Sequence, residues 1–289
     1  MQPPSKFRNT DQPNTYFVQD RRNKDELTRL TIQDRMVTAA MGGVLPEQPD
    51  PTQFRRVLDI GCGSGQWVIE AAQAYPNMSL IGIDISLRMV EYARAQAEAA
   101  HVADRVEFHV MDALLALEFP PEFFDLVNLR MGGSFVRTWD WSKLLLEFQR
   151  VTRPGGVFRL TEPEMIHNTN SPALKQFWEM FTCAMHKSGH FFESETTGLT
   201  THIVRLLKQH VCKQVQTKVY PIRYRAGTAE GEAFYNDTVY MVRTLRSYIE
   251  KWGCASRDYE AICQQALNEM QQPDFYADWD MHTAWGYRS

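Results

Sequence analysis

The sequence predicts an α/β protein built on a doubly wound, mostly parallel sheet. Three observations lead there. Short apolar runs alternate five times with segments of helical period between residues 56 and 161. The first run opens onto three glycines at alternate positions, Gly61, Gly63 and Gly65, just ahead of a helical pattern. The next two runs each end at an acid, Asp84 and Asp112. Strands joined by helical crossovers lie parallel, and the right-handed crossover rule sets helices on the sheet faces.

Each element has its own signal. Val57-Leu58 leads into Asp59, and after the glycines Val68, Ala71, Ala72 and Tyr75 recur at helical spacing. Residues 79–84 (SLIGID) read as a second buried strand. Ser86 then suits the N-cap of a helix with Met89, Ala93 and Ala97 on one face. Residues 105–110 (RVEFHV) alternate as a third strand, and 123–129 (FFDLVNL) form a fourth. Trp141, Leu144, Leu145 and Phe148 give the next helix its apolar stripe. Pro154, Gly155 and Gly156 end it ahead of a fifth strand over 157–161.

On either side of this core the texture changes. A helix is expected over 25–41, followed by a glycine- and proline-rich loop over 42–51. Residues 1–15 are polar and are expected to be poorly ordered, with Tyr16 and Phe17 the first apolar anchors. Beyond Pro163, Leu174, Phe177, Trp178, Phe181 and Met185 make an aromatic helix face, and Leu199 to Leu207 make another helix. Residues 215–223 alternate as a strand. One long helix runs from Phe234 to Ile249, a further helix covers 259–270, and a last strand covers 281–288. Seven strands result. The expected organisation is an N-terminal segment and cover helix over 1–50, then one domain over 51–289 with helical cap insertions at about 164–212 and 226–275.

Composition bounds the function. The chain has 289 residues, 44% of them hydrophobic, and a formal charge of -4. That balance offers no general attraction to nucleic acid. No run of about 18 apolar residues suggests a membrane span, and the first residues have no apolar signal stretch. Five cysteines without a CxxC pair argue against a zinc site or a disulfide framework, so reduced thiols in a cytoplasmic protein are expected, and no metal.

The glycine loop has to be assigned to a ligand. A dinucleotide fingerprint needs a glycine where Gln66 stands, and a phosphate-binding P-loop needs a lysine that is absent. Asp84 follows Gly61 at about the distance of a ribose-binding acid in a βαβ unit. A carboxylate there matches two vicinal hydroxyls, each bond worth about 1.5–3 kcal/mol.

The loop resembles motif I of class I S-adenosylmethionine (SAM) methyltransferases. RVLDIGCGSGQW, LIGIDIS, MDA, FDLVNLRM and RVTRPGGVFRL fall in that family's order and spacing. DELTRLTIQDR and NLRMGGSF are similar to the branch of fungal secondary-metabolism regulator methyltransferases, itself similar to the ubiquinone/menaquinone-biosynthesis type. The resemblance implies a Rossmann-like sheet and SAM as cofactor. It also implies roles. Gly61, Cys62 and Gly63 would form the loop against the amino-acid end of SAM, and Asp59 would organise it. Asp84 would hold the ribose, with Ile85 and Met89 flanking the adenine and Asp112 and Ala113 at its edge. Arg130 would lie near the methionine carboxylate or the acceptor, and Tyr16 and Arg29 would close over SAM.

The implied reaction moves the sulfonium methyl to a small, partly hydrophobic metabolite by in-line displacement. Glu164, His167, His186 and His190 are the candidate bases, and Trp178 and Phe181 the candidate acceptor contacts. The alternatives are a protein or nucleic-acid methyltransferase and a SAM-binding regulator without turnover. For base methylation, an Asn/Asp-Pro-Pro-aromatic stretch is wanted where Asn128-Leu129-Arg130-Met131 stands.

Overall fold

The computed structural model describes residues 15–18, 24–195, 197–210 and 212–289. The expectation for the polar N-terminal residues therefore lies almost wholly outside the described residues.

Eight strands form one sheet: β1 (Arg56–Ile60), β2 (Ser79–Asp84), β3 (Val106–Val110), β4 (Phe124–Arg130), β5 (Thr152–Pro163), β6 (Asn168–Thr169), β7 (Cys212–Arg225) and β8 (Tyr276–Arg288). The order is β3-β2-β1-β4-β5-β8-β6, with β7 also paired to β8. Strands β1 to β5 are parallel, and β8 runs antiparallel to β5 and β7. The chain winds outward from β1 to β3, then returns to β4 on the other side of β1. That reversal leaves a crevice at the carboxyl ends of β1 and β4, the ligand position of open α/β sheets.

Helix α1 (Lys24–Met41) precedes the sheet, and α2 (Gln66–Ala74), α3 (Leu87–Ala99) and α4 (Trp141–Val151) are its crossovers. Neighbouring strand residues point to opposite faces, so Val57 joins one core with Val68, Leu80 and Phe108. Leu58 joins another with Val127, Phe158 and Phe177. Between β5 and β7 lie α5 (Pro172–Lys187) and α6 (Thr200–His210). Between β7 and β8 lie α7 (Ala229–Thr244), α8 (Arg246–Lys251) and α9 (Tyr259–Met270).

Strands β7 and β8 start earlier than the sequence reading placed them, at Cys212 and Tyr276, and four further details depart from it. The extra strand, β6, has two residues, too few to show a period. Strand β5 starts at Thr152, which pairs with Phe124 before the register shifts to Val157 and Leu126. The long helix expected through Ile249 breaks at Leu245. Met241, Val242, Leu245 and Ile249 still reach one core, so the apolar spacing runs through the break unchanged. The fourth detail is chemical. Cys183 on α5 and Cys254 after α8 form a disulfide, 71 residues apart, against the expectation of reduced thiols. No local spacing announces such a pair, because the fold alone brings the two segments together.

Candidate functional site

The loop after β1 is shaped by close packing. Gly61 has φ +67°, and a Cβ there would sit 2.7 Å from the Phe135 ring. Gly65 has φ +76°, and its Cβ would meet Ala93 at 2.6 Å. Left-handed backbone in a tight space admits only glycine. Gly63 donates its amide to Asp84 Oδ2 at 3.1 Å, and Ser86 donates its amide to Asp84 Oδ1 at 2.8 Å. Ser86 also caps α3. Asp84 thus ties the end of β2 to both the loop and the next helix. At the end of β3, Asp112 Oδ1 accepts from the Leu114 amide at 2.9 Å.

Beneath the loop lies a polar row across three strands. Asp59, Asn128 and Arg159 sit in register on β1, β4 and β5. Asn128 Nδ2 donates to Asp59 at 2.7 Å, and Arg159 donates to Asn128 Oδ1 at 2.8 Å. Arg159 also pairs with Glu47 at 2.8 Å. Burial pushes the Asp59 carboxyl up to about 7, against the opposing pull of Asn128 and Arg130.

Helix α1 covers the crevice. Glu26, Arg29, Leu30, Gln33 and Asp34 line the cavity at spacings of three and four, one face of the helix. Arg130, leaving β4, pairs with Asp34 at 2.5 Å and donates to Thr38 Oγ1 at 2.8 Å. Ser64 of the glycine loop donates to Asp34 at 3.2 Å. Arg29 is buried against Glu26 at 2.7 Å, and Tyr16 donates its hydroxyl to Glu26. Burial alone would lower the Arg29 pKa, but Glu26 outweighs it and holds the guanidinium charged. Asp237 of α7 stands 3.7 Å from Arg29, and burial raises its carboxyl to about 7.

These groups enclose a cavity of about 270 Å³. Around it the fold brings together Tyr16, Arg29, Asp59, Gly61, Cys62, Asp84, Ile85, Met89, Asp112, Ala113 and Arg130, with Trp178 and Phe181 on the cap side. Gly63 is outside the lining, with its amide engaged by Asp84. Cys62 is buried, and burial pushes its thiol well up.

The four candidate bases are not among the lining residues. His167 and His186 are exposed. His190 is buried, with Nδ1 beside Ser188 Oγ at 2.6 Å and Nε2 on the Thr15 carbonyl at 2.9 Å, and burial lowers it to about 4. Glu164 pairs with His282 at 3.0 Å on the antiparallel side of the sheet. The lining carboxylates that sequence reasoning passed over are Glu26, Asp34, Glu162 and Asp237. For Glu26 and Asp34 a signal existed, since both fall on the cavity-facing stripe of α1. Glu162 and Asp237 sit within apolar patterns that mark only burial.

Comparison with known proteins places this geometry. Residues 57–156 match the family model described as a methyltransferase domain. That span runs from the first residue of the β1 apolar run to the turn before Val157, and contains the loop, Asp84 and Asp112. Over those residues the chain is similar to methyltransferase domains. Demethylmenaquinone methyltransferase of Symbiobacterium thermophilum is 35% identical over 111 residues, 37% of this chain and 43% of that protein. The secondary metabolism regulator laeA of Aspergillus niger is 30% identical over 142 residues, 48% of this chain and 35% of that protein. The chain therefore spans less than half the length of these curated relatives. The fold is similar to that of Haemonchus contortus phosphoethanolamine N-methyltransferase 2, solved with phosphomonomethylethanolamine and S-adenosylhomocysteine. The TM-score is 0.55 at 19% identity, covering 94% of this chain and 60% of that one. Outside residues 57–156, the N-terminal cover, the cap segments and parts of β5 and β8 supply the rest of the cavity wall.

Proposed function

We propose that this protein is a SAM-dependent methyltransferase acting on a small, partly hydrophobic metabolite. One observation carries the reading. A glycine loop and two carboxylates, Asp84 and Asp112, stand near the ends of three adjacent strands and line one cavity whose far side is mostly apolar, with Glu162 and Asp237 among Met165, Trp178, Phe181 and Met185. A pyrophosphate would bring negative charge against both carboxylates, whereas an adenosyl sulfonium brings hydroxyls, an amino group and a positive charge.

The residues fit that ligand by their own chemistry. Gly61 lines the cavity, and the Phe135 ring packs where its Cβ would stand. Asp84 has its carboxylate positioned by two amides, ready to accept from ribose hydroxyls. Asp112 and Ala113 would meet the adenine edge, with Ile85 and Met89 on its faces, and Arg130 and Asp59 would stand at the methionine end. When bound, SAM supplies an activated methyl on a positively charged sulfur. The chain has to orient an acceptor and exclude water. Helix α1, Tyr16 and Phe17 close one side, while Trp178, Phe181 and Met185 of α5 close the other. The named activity of the menaquinone relative supports a small acceptor.

Calorimetry with SAM, S-adenosylhomocysteine and NADH tests the cofactor: the first two are expected to bind and NADH not. Methyl-labelled SAM offered with a metabolite extract, purified protein or RNA then tests the acceptor class. Label is expected in the small-molecule fraction. Label only in protein or RNA overturns the small-acceptor reading, and binding without transfer to any of them favours a regulator.

A further inference from the structure

Four buried acids line the cavity: Glu26, Asp59, Glu162 and Asp237. Glu26 is paired with Arg29, and Asp59, without an ion pair among the described residues, accepts from Asn128 at 2.7 Å. Asp237 has Arg29 at 3.7 Å. Glu162 is 1% exposed, and among the described residues no cation pairs with it. Its Oε2 accepts from the Gly133 amide at 3.1 Å, while Oε1 has no hydrogen-bond partner. Room for the carboxyl is made by two glycines: a Cβ on Gly132 would lie 3.1 Å from Oε1, and one on Gly133 would lie 3.2 Å from Oε2. Burying an unpaired carboxyl is costly, and a buried acceptor without a partner calls for a reason.

Its place along the sheet supplies one. Asp112, Asp84, the glycine loop, Arg130 and Glu162 follow one another across the ends of β3, β2, β1, β4 and β5. A cofactor laid from Asp112 to the loop, as proposed above, has its reactive end over β1 and β4. The next strand holds Glu162, with Met165 and Phe181 also lining the cavity. The geometry points to Glu162 as the proton acceptor for a hydroxyl-bearing methyl acceptor, an alcohol, phenol or enol seated beside β5. The step balances. The acceptor O–H bond breaks and its proton forms an O–H bond on Glu162 Oε1. The electron pair left on the acceptor oxygen makes the new O–CH₃ bond, and the pair of the broken S–CH₃ bond stays on sulfur, which becomes neutral.

The environment suits that role. Burial pushes the Glu162 carboxyl up to about 8, against the pull of the Gly132 and Gly133 amides, so it is a stronger base than an exposed glutamate. A carboxylate-bearing acceptor would meet like charge there. An ammonium would arrive with its own desolvation cost, whereas a hydroxyl enters neutral.

This inference rests on the cofactor reading, and its test keeps the two apart. The full chain is loaded with S-adenosylhomocysteine and titrated with 2-naphthol, 2-methoxynaphthalene, 2-naphthylamine and 2-naphthoate at several pH values. The hydroxyl compound is expected to bind about tenfold or more tightly than its methyl ether, from one hydrogen bond to a charged group. That preference is expected to grow as pH rises through about 8. In Glu162→Gln the Gly133 amide holds the side-chain oxygen and an NH₂ faces the acceptor. The preference is expected to vanish while S-adenosylhomocysteine affinity stays within about twofold. Equal or absent binding of the naphthol and its ether by wild type, a stronger claim by the amine or carboxylate, or a preference surviving in Glu162→Gln overturns the proposal. Failure of wild type to bind S-adenosylhomocysteine overturns the cofactor reading, and this one with it.

Discussion

Asn128 donates to Asp59 at 2.7 Å across the β1–β4 pair, at the point where the sheet changes direction. The amide spends its two ends on opposite partners, since its carbonyl accepts from Arg159. It is fully buried, as is Arg159 at 1% exposure. Replacing Asn128 with Leu leaves a buried carboxyl and a buried guanidinium each short of a partner. We expect a loss of about 2–4 kcal/mol in denaturant unfolding. Unchanged stability would mean that the row is not a structural unit.

Asp84 is the sharpest test of the cofactor site. Asp84→Ala removes the carboxylate that we propose accepts from the ribose hydroxyls, and it frees the Gly63 and Ser86 amides. SAM affinity by calorimetry is expected to fall more than about tenfold. Retained affinity would place the ribose elsewhere.

On the cap side, Trp178 and Phe181 touch each other with ring centroids 5.7 Å apart, and Phe181 meets Phe17 at 5.7 Å. Trp178→Ala and Phe181→Ala are expected to leave SAM binding nearly unchanged and to alter turnover of the acceptor. If SAM binding collapses with either, the cap belongs to the cofactor site instead.

Glu162, Asp59 and Asp237 share one pH signature. Burial raises Glu162 from 4.5 to about 8, and Asp59 and Asp237 from 3.8 to about 7. The folded chain therefore holds protons that the unfolded chain releases near pH 4. The stability tied to these groups is complete below that pH and is lost as pH rises through about 7 to 8. Glu162→Gln keeps the buried shape and removes one titration. Its unfolding free energy is expected to fall less steeply than that of wild type between pH 5 and 8. The difference is on the order of a few kcal/mol, at about 1.4 kcal/mol per pKa unit. Parallel curves would show that the carboxyl is not held neutral.

The disulfide makes a separate prediction. Cys183–Cys254 closes a loop with a sequence separation of 71 and staples α5 to the segment after α8. Cys183→Ser with Cys254→Ser, or reduction, is expected to cost roughly 2–4 kcal/mol. A non-reducing digest should yield the linked peptide, and free thiols at Cys183 and Cys254 in freshly prepared protein would contradict the pairing.

Much of the fold was legible because it is written in local periods. The five parallel strands and their crossover helices follow from short apolar runs and recurring helical faces, and the glycine loop follows from three glycines in alternate positions. The acids Asp84 and Asp112 were legible for the same reason, as Asp84 ends β2 and Asp112 follows β3 by two residues. Legibility failed where a pattern is too short, as at Asn168-Thr169, or where polar pairing hides a strand. The first residues of β8 contain Asp278 and Asp280, which break the apolar pattern but pair with Arg225 and Arg223 of β7.

The sequence by itself determined the parallel strands, their crossovers and the glycine loop and acids near their ends, because residues close in the chain shape each of those. Only the tertiary structure decided how the rest of the cavity is built. Asp34 reaches Arg130, Asp237 approaches Arg29, Cys183 meets Cys254, and Glu162 is left without a cation among the described residues. Each of these depends on segments far apart in sequence being packed side by side. Whether a buried acid is neutralised or left open is a property of its neighbours, and a linear pattern of residues does not name them.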